Sequence, residues 1–456
     1  MLEALHKFFE VFGAATVVPA MIFIVSLFLK VNPRRAFFSA LRAGVGLTGF
    51  GWIISAFAPM VTKYIQQMVK TTGLHLPIVD IGWQAGSLTA FSSEIGLSFF
   101  VFGLLIELGL FLLGITRVFV PSNLWNNFGY MIWGTMAYAA TGNFILSFAF
   151  MVFVLLYSLV MSEVLADRWS EYYGVKNATI NSIHNIETLI PALILDPLWN
   201  LLSVNKVKLN PESLKTKLGI FGEPMTLGFA VALAAVMTIF PLITGVFASA
   251  FAPLAEAVER NKKKESQAEQ GALDKKRWFI AVDDGVGFGE PATIIAGLIL
   301  VPIMVVISLI LPGNEALPVV DLIAIPFMIE AMIAVSKGNI LKAILNGIIW
   351  FSLGLYAASA LGPIYTEAVK HFGTALPAGV TLIMSFNLLA HPLTALVFFA
   401  WISGNPLYIG VTVVIYLAFL FLLRTRRESI YAYLKTMADK NSGYEGSCEK
   451  IFIAED

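Results

Sequence analysis

Apolar runs separated by short polar breaks fill almost the whole chain, near residues 11–30, 37–59, 95–116, 125–141, 143–161, 181–202, 223–240, 242–257, 288–311, 317–336, 340–361, 377–400 and 401–423. About 20 helical residues cross a hydrocarbon core, so runs of this length predict an all-α polytopic membrane protein. Two stretches, 178–203 and 377–400, carry enough internal polar residues to fit better as re-entrant hairpins than as full crossings. Counting them so leaves eleven expected spans. Non-helical backbone at that depth needs protein or a wet cavity around it. The first run contains Pro19 and lacks a basic start and a cleavage site, so it is expected as a retained first span.

Polar stretches divide the pattern in two. Residues 205–222 link a front half (1–204) to a back half (223–400), followed by a last helix (401–423) and a polar tail (424–456). The halves echo each other. Phe57-Ala58-Pro59 recurs as Phe251-Ala252-Pro253, Val79-Asp80-Ile81-Gly82 as Val282-Asp283-Asp284-Gly285, and Gly142-Asn143 as Gly338-Asn339. The copies stand 194, 203 and 196 residues apart, in one order, which chance does not readily supply. Lys and Arg gather in cytoplasmic loops. Lys30, Arg34, Arg35 and Arg42, the Arg260–Arg277 loop, and Arg424, Arg426 and Arg427 therefore place the N-terminus outside and the tail inside. The two FAP copies then point opposite ways. That is an inverted repeat, the plan of transporters that bind their solute midway, where broken helices meet.

Composition narrows the chemistry. The chain is 58% hydrophobic and 13% charged, about half the charge of a soluble domain, and its net charge of +0 offers no nucleic-acid face. The single cysteine, Cys448, lies in the polar tail, which excludes an internal disulfide and a membrane-embedded cysteine nucleophile. No metal-ligand spacing or glycine-rich phosphate loop occurs, and no nucleophile–base set stands out. Polar residues gather instead at the breaks. In Val79–Ser87, Asp80, Gln84 and Ser87 offer hydrogen-bonding groups and Trp83 a flat face, a mixture that suits polyhydroxyl compounds. A tight interfacial turn with a belt tryptophan is the competing explanation. Asn127 opens another run, as a cap or a ligand contact. His184, Asn185 and Glu187 occupy the first hairpin, and Asn387 and His391 the second. Ionisable groups at membrane depth are costly and point to function. Asp321 is either a cap or a site acid.

Phe-Gly-Glu-Pro occurs twice, with Glu223 and Pro224 in one copy and Glu290 and Pro291 in the other. Each acid precedes a proline suited to a first helical turn, where free amides welcome negative charge. The sequence predicts Glu290 near the solute, and Glu223, Pro224 and Pro291 in structural or gating roles. Scarcity of Lys and Arg inside the runs favours a neutral, hydroxylated solute. An ion-coupled secondary transporter, with Asp80, Glu223 or Glu290 as its coupling acid, is the alternative.

The VDIGW turn, FGEP followed by Thr, the TGN break and LPGNEALPVVDL (Leu311–Leu322) together resemble the galactitol-type C component of the bacterial phosphoenolpyruvate-dependent phosphotransferase system. The resemblance spans roughly residues 10–425; the ascorbate-type C components are more distantly similar. It implies a homodimeric, eleven-span, elevator-type carrier in the bacterial inner membrane, embedded in lipid. Spans 11–59 and 223–257 would be scaffold, 258–280 a cytoplasmic loop, and 79–203 and 281–400 the solute-carrying core. It also implies Asp80, Trp83, Gln84, His184, Asn185, Glu223, Glu290, Asn314 and Asp321 as site candidates, and no cofactor. The phosphoryl group would come from a phosphocysteine on a cytoplasmic B component, itself charged by an A component. The family holds FGEP most firmly at the Glu223 copy, and the surroundings of His184 and His391 differ from those of galactitol carriers. Galactitol, another hexitol or a pentitol all satisfy the chemistry.

Overall fold

The computed structural model describes residues 14–46, 76–209, 278–372 and 380–441, with isolated positions between 48 and 52, between 239 and 260, and at 376. Glu223 and Pro224, the first FAP copy and most of the runs at 223–240 and 242–257 lie outside the described residues. The described chain is helical, and five helices among the described residues have the length and apolarity to cross a membrane.

After helix α1 (Ala14–Phe28), the front half runs through strand β1 (Ile78–Asp80), α2 (Trp83–Ser92), α3 (Glu94–Leu112), β2 (Val118–Phe119), α4 (Phe128–Thr141), α5 (Phe144–Tyr173), β3 (Ala178–Thr179), α6 (Ile183–Ile186) and α7 (Leu189–Leu201). The back half runs through β4 (Phe279–Ala281), α8 (Pro291–Ile310), β5 (Ala316–Leu317), α9 (Ile325–Met328), α10 (Glu330–Val335), α11 (Ile340–His371), β6 (Leu382–Met384), α12 (Phe386–Leu389) and α13 (Pro392–Ile402). A long helix, α14 (Pro406–Asp439), follows. The spanning helices are α3, α5, α8, α11 and α14.

The six short strands form two three-stranded parallel sheets, β5-β1-β6 and β2-β4-β3. Each half thus lends its first strand to the centre of the other half's sheet. The sheets satisfy backbone groups where the helices are interrupted, which low-dielectric surroundings demand. The exchange also locks the halves together.

The sequence echoes have structural counterparts. Gly142 and Gly338 end helices in left-handed conformations, at φ 63° and 74°, which a residue without Cβ adopts at little cost. Asn143 and Asn339 then cap α5 and α11, accepting hydrogen bonds from Leu146 N and Lys342 N. Asp80 and Asp283 each accept from the amide two residues on, of Gly82 and Gly285, making the same Asx turn. The sheet ladders nevertheless match Ile81 with Val282, since their amides donate to Met384 O and Thr179 O. The two Asx turns are therefore offset by two residues against the sheets. The front chain enters α2 soon after its turn, whereas the back chain first makes a 3-10 turn over Asp284–Gly289.

Three expectations about spans change. The run 317–336 is not a continuous span but a strand, a 3-10 turn and two short helices, α9 and α10. Pro318 cannot donate to a helix ladder, Pro326 starts α9, and Ile329 leaves helical geometry at φ −113°. The last helix does not stop at 423. It bends at Arg426 and continues to Asp439, where Leu434, Met437 and Ala438 are buried. The run 340–361 continues, as α11, to His371, and its Lys342 is completely buried and pairs with Asp196 at 3.1 Å, fastening α7 to α11. Asn200 and Asn346 complete that cluster.

Near the ends of the first loop, Arg35 pairs with Glu256 at 3.1 Å and Arg260 donates to Lys30 O at 2.9 Å. Early and late runs therefore touch across the halves.

Candidate solute-binding site

The helix interruptions bring two hairpin tips together. The first tip is α6 with the turn into α7, and carries His184, Asn185 and Glu187, all buried. The second is α12 with the turn into α13, whose N-cap is His391, also buried. Glu187 joins them: its Oε1 accepts from Thr394 N on α13 at 2.8 Å, and it also bonds the Thr394 hydroxyl. Tyr157 of α5 donates to the same oxygen at 3.0 Å. His391 Nε2 sits 2.6 Å from Asn387 O, and its ring lies 6.4 Å from that of Trp133 on α4. The imidazoles of His184 and His391 are near enough to interact electrostatically.

Around this pair stand groups from the back half. Asp284 bonds His184 Nε2 and accepts from the Ser182 hydroxyl at 2.9 Å. Asn126 donates to Asp283 at 3.3 Å, while Asn185 Oδ1 accepts from Ala331 N at 3.2 Å. Asn127 is held by Glu107 of α3, to which it donates at 2.7 Å. Next to it, Trp83 packs on Phe128 with ring centroids 5.5 Å apart.

The other expected site residues are engaged elsewhere or turned away. Asp80 accepts from the amides of Gly82, Val319, Asp321 and Phe386. Asp321 accepts from Trp83 N at 2.8 Å, Asn387 N at 3.1 Å and the Ser385 hydroxyl at 2.5 Å. These two acids knot β1, the β5 turn and the second hairpin together. Asn314 spends its amide on Ser308 O, Ala316 O and Ala316 N within its own turn. Ser87 donates to Gln84 O inside α2, and Gln84 is exposed. Glu290 caps α8, accepting from Ala292 N at 3.0 Å and from both the amide and the hydroxyl of Thr293 at 2.7 Å. Pro291 takes the first helical position behind it. The FGEP acid is stable there because free amides at the helix start and a neighbouring hydroxyl use both of its oxygens.

The groups around the hairpin tips are different, because several buried polar atoms have no partner. They are Asn127 Oδ1, Asn185 Nδ2, Glu187 Oε2 and His391 Nδ1. An unpaired buried polar atom costs roughly 1–3 kcal/mol, so folded chains rarely keep several together without a use. Donor and acceptor atoms are mixed, no lysine or arginine faces them in the bonds described, and an aromatic face stands near. That arrangement suits a compact neutral compound rich in hydroxyls. No group of three or more His, Cys, Asp or Glu among the described residues has metal-binding geometry.

Sequence reasoning missed Asp284, Glu107, Glu330, Tyr157 and Thr394. Glu107 and Glu330 were visible as lone acids within apolar runs, a signal of function in its own right. Asp284 stood beside the Asp283 of the repeat. Tyr157 and Thr394 gave no signal, because hydroxyls are common within spans.

A family model described as the phosphotransferase-system sugar-specific permease component, the EIIC-GAT family, matches residues 7–233 and 226–379. The chain belongs to this family. The galactitol-specific EIIC component of Escherichia coli K12 is 25% identical over 404 residues, covering 83% of this chain and 87% of the relative. The same protein of Escherichia coli O157:H7 matches equally. A putative permease IIC component of Escherichia coli K12 is 23% identical over 376 residues, 78% of this chain and 84% of the relative. The permease is thus a multi-span membrane component of a sugar transport system whose cargo is phosphorylated with the help of cytoplasmic A and B components.

Proposed function

We propose that the permease carries galactitol, or a closely related hexitol or pentitol, and presents it to a phosphocysteine on its B component. The carrying observation is the set of unpaired buried polar atoms at the hairpin tips: Asn127 Oδ1, Asn185 Nδ2, Glu187 Oε2 and His391 Nδ1. The galactitol specificity of two relatives supports the same solute class. Phosphorylation of a terminal hydroxyl at the cytoplasmic side traps the solute, since a dianionic ester does not return through an apolar core.

The repeated order of strands and helices, with first strands exchanged between sheets, supports an inverted-repeat body working as an elevator. In this reading the core moves as one piece, held by the sheets and the Lys342–Asp196 pair, against a scaffold built from runs 11–59 and 223–257. Two copies form the transporting unit, with the N-terminus outside and the tail cytoplasmic. Asp80, Asp321 and Asn314 shape the site rather than touch the solute, and Trp83 with Phe128 supplies its apolar wall.

The test is calorimetric binding of galactitol, mannitol, glucitol and arabitol to the purified protein and to His184→Ala and Asn185→Ala. Each substitution removes a polar contact and is expected to weaken the bound polyol about tenfold to a hundredfold, with some fall in melting temperature because Asp284 or Ala331 N loses a partner. Unchanged affinity in both variants would return the hairpin tips to a packing role.

A further inference from the structure

Glu330 begins α10, is completely buried, and has no part in the helix breaks that Asp80 and Asp321 hold. Its Oε2 accepts from Trp169 Nε1 on α5 at 2.9 Å. Trp169 in turn stacks on Tyr173, with ring centroids 4.9 Å apart, and the Tyr173 hydroxyl lies 2.9 Å from Thr293 Oγ1. The carboxyl is therefore oriented by a relay that ends at the capped start of α8. Glycine at 287 makes room for it. A Cβ there would meet Glu330 Cδ, Oε1 and Cγ well inside van der Waals contact. The Gly287 amide lies beside the carboxyl, yet Oε1 has no partner of hydrogen-bonding geometry.

Position makes that free oxygen informative. The residue after Glu330 donates its amide to Asn185 Oδ1, so the Asn185 side chain is adjacent, and its Nδ2 is likewise unpaired and buried. One acceptor on α10 and one donor on the first hairpin tip thus belong to segments in direct contact. A hydroxyl can donate to the first, and the oxygen of that hydroxyl or its neighbour can accept from the second.

Resting on the polyol reading above, we infer that Glu330 determines solute specificity: its Oε1 accepts a hydrogen bond from one defined hydroxyl of the polyol, with Asn185 Nδ2 as the paired donor. Sites built to bond a hydroxyl discriminate strongly against analogues that lack it, because a buried group is then left alone. Carbons whose hydroxyl is reversed, missing or oxidised to an acid at that place are therefore excluded.

The experiment measures binding of galactitol and its six monodeoxy analogues, three enantiomeric pairs because galactitol is meso, to wild type, Glu330→Gln and Glu330→Asp, using full-length protein purified in detergent. Glu330→Gln keeps an oxygen for Trp169, and Glu330→Asp keeps the carboxyl group but withdraws it by one methylene. One deoxy analogue is expected to bind wild type about tenfold to a hundredfold more weakly than galactitol. For that analogue alone, both substitutions should cost little further, whereas they weaken galactitol and the other five analogues. This non-additivity is the signature of direct contact and would not follow from a purely structural role. Equal losses for all seven ligands in every variant that folds overturn the inference and leave the polyol reading standing. A wild type that binds none of them, nor the other three alditols above, overturns both.

Discussion

Asp321 and Glu187 are both buried acids at hairpin ends, but their surroundings assign them different work. Each Asp321 oxygen is taken up by amides or a serine hydroxyl from two segments. Glu187 keeps one oxygen unpaired. Removing Asp321 as Asp321→Ala strands Trp83 N, Asn387 N and the Ser385 hydroxyl, at roughly 1–3 kcal/mol for each donor left buried and alone. Thermal unfolding should show a clear fall in melting temperature, with polyol affinity of the remaining folded protein near that of wild type. A normal melting temperature with lost affinity would make Asp321 a solute contact instead. At this scale the sequence identified which residues matter better than what they do. Asp80, Asp321, Glu290, His184, Asn185 and Glu187 were all recognisable as polar groups out of place. Whether such a group is satisfied by backbone amides depends on segments hundreds of positions away, as when Asp80 bonds Val319, Asp321 and Phe386. Local sequence carries no trace of that.

At the scale of elements, the GN breaks were legible because their physics is local. A glycine with positive φ ends one helix and an asparagine one residue later caps the next. Asn143→Ala and Asn339→Ala should each cost about 0.5–2 kcal/mol, read as lower melting temperatures of similar size in both halves. A change confined to one half would mean that the echo is not a functional equivalence of caps. The broken run at 317–336 was not legible, since hydropathy averages over Pro318 and Pro326 and sees only apolar residues. The short sheets were hidden for another reason. Ile78 pairs with Ala316 and Leu382, and strands of two or three residues have no periodicity to read. The bend in α14 lies just past the last apolar residues, where the helix continues as an amphipathic segment over the protein surface.

At the scale of the molecule, the exchanged strands and paired hairpins make the two halves one body, and its proposed orientation in the membrane rests on the charges along the sequence. With Cys448 replaced by Ser, a cysteine at Lys264 should resist an impermeant reagent in intact cells and one at Gly373 should react. Labelling at 264 would contradict the inverted orientation of the halves. The central claim, that this body delivers a polyol to a phosphocysteine partner, has a more direct test. Membranes containing the permease are mixed with its cognate A and B components, the general phosphotransferase proteins and phosphoenolpyruvate, and radiolabelled galactitol, mannitol, glucitol and arabitol are offered in turn. The account predicts a phosphorylated alditol that forms only when the permease and the B component are both present, and that is lost with His184→Ala or Asn185→Ala. Accumulation of unmodified solute under an imposed ion gradient, with no phosphorylated alditol in the complete mixture, would contradict it.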